Sequence, residues 1–398
     1  MECYLDNSAT TKPTDAVVEA MLHVLRDDFG NPSSLHAKGV AAEEVVKDAR
    51  AKIAATLRVK PKEILFTSGG TESNNQALIG AARARHRHGK HIISTCFEHP
   101  SVYEPLEFLR REGYDVDYLP VDAMGHVDPE LLEATIREDT ILVSTMFVNN
   151  EVGAVQDIEA LSRRIHAKNP EILYHVDAIQ AYGKLLIRPQ QMGIDLMSVS
   201  GHKIHGPKGS GFLYVRDGVR ILPYIYGGGQ EKNLRSGTEN VPGIAGLGAA
   251  AHEIYTDFQE KQDHLFRLKT RMIGELLREI PDVRIHAVEL PDTGDDEALE
   301  AAVRKTAPHI VSAAFPPIRA EVLLHALEDK GIYVSSGSAC ASNHPAISGT
   351  LKGIGVPEEE LTTTLRFSFS VHTTEEEVLY AVQALRELVP VLSRFVRR

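Results

Sequence analysis

Lys203 stands in the stretch DLMSVSGHKIHGPKGSGFLYV, residues 195–215, where one apolar run stops at Ser-Gly-His-Lys and a second begins at Phe212. Gly206, Pro207, Gly209 and Gly211 lie between them. A lysine at the mouth of a loop between two buried strands is a candidate nucleophile, because its amine condenses with carbonyl compounds. Three further polar clusters follow apolar runs. SGGTES, residues 68–73, fits either a helix start that cradles a phosphate or a plain strand-to-helix turn. It is neither a Walker A motif nor a G-x-G-x-x-G fingerprint. HVDAIQ, residues 175–180, puts Asp177 at a strand end, where a buried carboxylate needs a cationic partner or serves as a helix cap. FEHPSV, residues 97–102, puts His99 at another strand end, with structural and catalytic roles both open.

An amine, a phosphate cradle and a carboxylate together are what pyridoxal 5′-phosphate (PLP) chemistry requires. The lysine forms a Schiff base, the acid keeps the pyridine nitrogen protonated, and a helix start takes the phosphate.

These residues must be positioned by a frame, and the patterning describes one. Strand-like runs at 63–67, 91–95, 116–121, 141–148, 172–176 and 196–199 alternate with helical segments, among them an amphipathic helix at 41–57. That rhythm predicts an α/β fold with a large, doubly wound, mostly parallel sheet and ligands at the strands' carboxyl ends. A chain of 398 residues exceeds what one core supports. The expected division is a large domain over 15–248 and a smaller α+β domain built from 1–14 and 249–398. In the second domain we expect one long helical segment at 249–279, an exposed insertion with a short helix at 291–306, and a strand at 332–335. Leu365, Phe367 and Phe369 alternate with Arg366 and Ser368, so a strand there puts Arg366 on the face opposite the apolar residues. Thr374 and Glu377 form a capping-box pattern before the last helix.

The net charge of -12 argues against nucleic acid as a main partner. The start MECYLDNSATTKP has no apolar signal region, and no run approaches a membrane span, so a cytoplasmic location is expected. Cys3, Cys96 and Cys340 are odd in number and far apart, which suits a reducing compartment, and no CxxC pair points to a metal site.

The chain resembles the cysteine desulfurases, a branch of the class V aminotransferase family within the fold-type I PLP enzymes. The resemblance is carried in order by YLDNSATT, GNPSS, FTSGGTESNN, EHPSV, VNNEVGAVQDI, HVDAIQAYGK, SGHKIHGPKG, GGGQEKNLRSGTENV, SSGSACAS and LRFSFS. It implies that Lys203 carries the cofactor, Asp177 pairs with the pyridinium nitrogen and Gln180 bonds the phenolic oxygen. His99 would stack on the ring and shuttle protons. Gly70, Thr71, Ser200 and His202 would hold the phosphate, joined by Thr238 from the neighbouring subunit of a homodimer. Asn150 would contact cofactor or substrate, and Arg366 would clamp the substrate carboxylate.

Cys340 lies in a Gly/Ser/Ala-rich segment, about 335–350, too small and polar to be core. A mobile loop bearing a nucleophilic thiolate fits it. The SSGSAC form resembles the long-loop desulfurases. The implied reaction turns L-cysteine into L-alanine and leaves a persulfide on Cys340. The acceptor would be a protein of iron–sulfur cluster assembly or tRNA thiolation. Cys3 and Cys96 read as structural or incidental. His205 has no assigned role, and Lys232 stands where relatives often carry arginine. Competing readings are a selenocysteine lyase, a transaminase or small-amino-acid lyase, and an inactive scaffold that docks a sulfur-carrier protein.

Overall fold

Short apolar runs separated by helices give the chain one large sheet and one small one. The computed structural model describes residues 1–292, 295–336 and 348–395. The strands are β1 (Cys3–Tyr4), β2 (Ile64–Thr67), β3 (His91–Thr95), β4 (Asp115–Leu119), β5 (Thr140–Met146), β6 (Leu173–Asp177), β7 (Leu196–Ser200) and β8 (Gly211–Val215). They continue with β9 (Arg284–Ile285), β10 (Ile310–Ala314), β11 (Ile332–Tyr333), β12 (Ser335–Ser336) and β13 (Thr364–Ser368).

The large sheet has the order β2-β8-β7-β6-β5-β3-β4. Its pairs from β7 to β4 are parallel, and β8 is antiparallel to both β2 and β7. β2 therefore runs the same way as β7, and the carboxyl ends of β2, β3, β5, β6 and β7 share one edge. Side chains alternate along each strand. Leu65, Ile92, Leu142, Leu173 and Leu196 pack in one core with residues of helices Gly70–Arg85 and Pro100–Arg111. Phe66, Ile93, Val143, Tyr174 and Met197 pack in another with helices Asp15–Arg26, Ala37–Leu57 and Val241–Tyr255. The sheet is covered on both faces, so every residue of β5 to β7 is buried.

A separate core holds residues of helix Phe258–Glu279, the antiparallel sheet β12-β13-β10-β9 and helix Glu375–Leu392. Cys3 and Leu5 join it, because β1 pairs with β11. Among the described residues no helix is long and apolar enough to cross a membrane.

The structure departs from the sequence reading at three places. The helical segment expected at 249–279 is two helices that break at Thr256 and Asp257, where Asp257 takes a left-handed backbone (φ 51°). The break is held by the stacked rings of Tyr255 and Phe258, 5.0 Å apart, and by Lys261 Nζ donating to the carbonyls of Glu253 and Thr256. The strand expected at 332–335 is divided between β11 and β12, which belong to different sheets. Within 291–306, helix Asp296–Val303 is not simply exposed. Leu299, Ala302 and Val303, at i, i+3 and i+4, are buried in the smaller core.

The capping box is formed. Thr374 Oγ1 accepts from the Glu377 amide at 3.2 Å, and the Glu377 carboxylate accepts from the Thr374 amide at 2.7 Å. Thr374→Ala is expected to cost about 1 kcal/mol of stability. Thr374→Ser should cost little. Urea unfolding of the two variants checks this, and equal stability of Thr374→Ala and wild type would contradict it.

Candidate active site

The turn after β7 sets the position of Lys203. Gly201–Lys203 form a single 3-10 turn, the Gly201 amide donates to the Ser210 carbonyl, and the amides of Ile204 and Gly206 both return to the Gly201 carbonyl. β8 then pairs back from Gly211. This projects Lys203 into a cavity of about 180 Å3 at the carboxyl edge of the sheet. Its Nζ donates to the carbonyls of Ser8 (2.6 Å) and Ala9 (2.8 Å).

Those carbonyls belong to a strap, residues 6–11, which the sequence reading left without a role. The Ser8 amide donates to Ser368 Oγ at 2.8 Å, and Asn7 Nδ2 donates to the Ser368 carbonyl at 3.0 Å. At its other end, Thr11 donates through both its amide and its hydroxyl to the His202 carbonyl. His205 completes this anchor. Its amide donates to Thr11 Oγ1 at 2.7 Å and its Nδ1 lies 2.8 Å from the Lys12 carbonyl.

β6 ends at Asp177, 2% exposed. Its carboxylate accepts from the Ile179 amide (3.0 Å) and from Asn74 Nδ2 (2.8 Å). Burial pushes the Asp177 carboxyl up, against those bonds and the nearby His99 and Lys203. Asn74 also donates to Ser101 Oγ, which lies 2.8 Å from His99 Nδ1. The Ser101 amide donates to the same Nδ1. That nitrogen is therefore an acceptor, and the neutral ring carries its proton on Nε2. Burial lowers the His99 pKa first, Asp177 opposes this, and Lys203 adds to it.

The SGGTES segment opens helix Gly70–Arg85, with Gly69 at φ 143° and no side chain capping the first turn. The leading amides of a helix lack intrahelical acceptors, which makes this end a ready anion cradle. A Cβ on Gly70 would collide with Ile179. Ser200 stands beside this helix start, its Cβ 3.5 Å from where a Cβ on Gly70 would lie, and it lines the same cavity with His202. His202 is pushed down to about 4 by burial, then by Lys203 and Lys208, so it is neutral at ordinary pH. An amine, a buried carboxylate and an uncapped glycine-led helix start fit PLP.

Arg366 lies on β13 opposite the apolar face and is 3% exposed. It donates from one terminal nitrogen to the Asn150 carbonyl (2.9 Å) and from the other to Asp6 (2.7 Å). Its Nε has no partner among the described residues. A guanidinium has five N–H donors, so the group is oriented and retains donors for a further carboxylate.

Gly70, Thr71, His99, Asn150, Asp177, Gln180, Ser200, His202, Lys203 and Arg366 thus line one cavity. Thr238 does not; it is exposed on its own chain. Cys340 and most of the 335–350 segment lie outside the described residues. Cys3 is buried, and burial pushes its thiol up to about 11. Cys96 is exposed and does not line the cavity. Lys232 is also remote from the cavity and donates to the Lys62 carbonyl.

The sequence reading missed Ser8, Asn74, Ser101 and Glu98. Asn74 sits one turn into helix Gly70–Arg85 and Ser101 is the second residue of helix Pro100–Arg111, both inside stretches already singled out, which was the available signal. Glu98 was overshadowed by its neighbour His99. Its buried carboxyl accepts from Thr95 Oγ1 (2.6 Å) and the Met146 amide (2.8 Å).

The chain matches the aminotransferase class-V family over residues 3–380. It is 40% identical over 388 residues to the cysteine desulfurase IscS of Dictyoglomus turgidum, covering 98% of this chain and 94% of that one. It is 42% identical over 386 residues to the cysteine desulfurase IscS of Methanosarcina thermophila, covering 97% and 91%. A solved NifS-like protein superposes with a TM-score of 0.89 at 38% identity, over 98% of this chain and 100% of the other.

Glu98 supplies a pH test. Burial, with Asp177 adding to it, raises its carboxyl from 4.5 to about 8. The folded chain then holds a proton that the unfolded chain releases, so this group's contribution to stability falls as pH rises from 4.5 to 8. Glu98→Gln is always neutral. The melting temperature of Glu98→Gln relative to wild type is expected to climb across that interval, by calorimetry of both proteins. Parallel curves would contradict the assignment.

Proposed function

We infer the reaction from kinship and geometry together: the chain belongs to the aminotransferase class-V family and is a PLP-dependent cysteine desulfurase, which converts L-cysteine to L-alanine and mobilises the sulfur. When bound, PLP supplies an aldehyde that captures amines and a ring that withdraws electrons from the substrate Cα.

In our reading the protein's own groups do the rest. Lys203 would hold the cofactor through its aldehyde, and its free amine would be placed to move the substrate Cα proton. Asp177 holds positive charge on the ring nitrogen, and Gln180 donates to the phenolic oxygen. The leading amides at Gly70 and Thr71, with Ser200 and His202, hold the phosphate. The neutral His99 covers the ring and carries a proton on Nε2. Arg366, oriented by Asp6 and the Asn150 carbonyl, binds the substrate carboxylate.

Cys340 is the proposed sulfur acceptor. Its thiolate attacks the substrate sulfur, an S–S bond forms, the C–S bond breaks, and the electron pair left on carbon takes a proton to give alanine. Thr238, exposed on its own chain, is assigned to the phosphate of a second subunit in a homodimer. The persulfide passes to an acceptor of iron–sulfur cluster assembly or tRNA thiolation in the cytoplasm.

The observation that carries this reading is that Lys203, Asp177 and the Gly70 helix start reach one cavity from three strand ends. Incubation with L-cysteine followed by peptide mass spectrometry should find one extra sulfur on Cys340. Cys340→Ser should lose alanine production on the order of 10³-fold, as when a covalent nucleophile is removed. Full activity in that variant would exclude the assignment of Cys340.

A further inference from the structure

His309 was not singled out by any motif, yet it reaches the cavity wall from the head of β10 in the smaller sheet. It precedes β10 and is 1% exposed. Its backbone is held on both sides, since the Phe369 amide donates to the His309 carbonyl and the Ala307 amide to that of Gly153. Its Nε2 lies 3.2 Å from Oε1 of Gln180, which is itself 5% exposed.

The orientation of the Gln180 amide follows from its two neighbours. The Ser8 carbonyl can only accept, and the Gln180 nitrogen lies 3.0 Å from it. The Gln180 NH2 therefore faces Ser8, and Oε1 faces the imidazole. An amide oxygen can only accept, so His309 Nε2 carries the hydrogen and donates. His309 Nδ1 is then a bare lone pair, and it has no partner among the described residues. Burial and the surrounding cations Lys184, Lys269, Arg366 and Lys203 keep the ring uncharged. Flipping the amide would set its oxygen against the Ser8 carbonyl. One N–H of Gln180 is used on Ser8, which leaves the other for the cavity that Gln180 lines.

We propose that His309 is a positioning residue for the cofactor: by donating to Gln180 it fixes the amide so that the phenolic oxygen meets an N–H and never a carbonyl. This rests on the reading of Gln180 given above. A donor on the phenolic oxygen draws negative charge from it and weakens its hold on the proton shared with the Lys203 linkage. Loss of the donor therefore raises the pH at which that proton leaves.

The test is the pH titration of the visible absorption band of the PLP-loaded enzyme, with a melting curve for each variant. His309→Leu should raise the midpoint by roughly 0.5–1 pH unit, the scale of one lost hydrogen bond. His309→Gln, which offers an N–H near the same place, should restore most of it. Gln180→Leu should shift the midpoint the same way, and adding His309→Leu to it should shift nothing further. If His309→Leu does not fold, His309→Asn, too short to reach Gln180, is expected to show the same rise. A lowered melting temperature with an unmoved midpoint would make His309 a packing residue and overturn the proposal. Additive shifts in the double variant would overturn it as well, by showing a route that bypasses Gln180. If Gln180→Leu itself moves nothing, the reading of Gln180 fails first and the proposal with it.

Discussion

Three strands running the same way are the constraint on which the site depends. β2, β6 and β7 come from distant parts of the chain, and their shared direction leaves an uncapped helix start, a carboxylate and an amine on one edge. The antiparallel β8 makes this workable. It lets the chain turn within a few residues of Lys203 and pair back beside β7, so the lysine sits on a short, hydrogen-bonded turn. Burial then makes each polar group costly unless bonded, and the Asn74–Ser101–His99 chain meets that cost around Asp177.

The second constraint is the seam between the two cores. Strap residues 6–11 bond β13 at one end and the Lys203 turn at the other. Arg366 crosses the same seam to Asp6 and to the Asn150 carbonyl, and His309 crosses it to Gln180. Arg366 is buried and Asp6 half-buried, and their 2.7 Å bond orients the guanidinium. On the roles proposed for Arg366 and Gln180, the seam carries substrate recognition and cofactor orientation as well as stability.

Much of this was legible in the sequence, for physical reasons. Parallel strands covered on both faces are mostly apolar, so β3, β5 and β7 announce themselves as runs. Lys203, Asp177 and His99 stand out because polar residues at the ends of such runs need an explanation. The break at Asp257 was not legible, since HEIYTDFQEK has neither glycine nor proline and the turn is held by Tyr255, Phe258 and Lys261. The Asp296–Val303 helix was misjudged because its three acidic residues mask the three apolar ones that dock. The strap and His309 were invisible because their partners lie 129 to 360 residues away. Only the fold brings Ser8 to Ser368, or His309 to Gln180.

The central claim is that the amine at the β7 turn carries the cofactor. A second lysine lies close by, because the buried Lys184 has its Nζ 3.3 Å from the Lys203 carbonyl. Borohydride reduction of the PLP-loaded enzyme, followed by peptide mapping, distinguishes them. A single pyridoxyl group is expected on Lys203. A pyridoxyl group on Lys184, or on any other lysine, would contradict it.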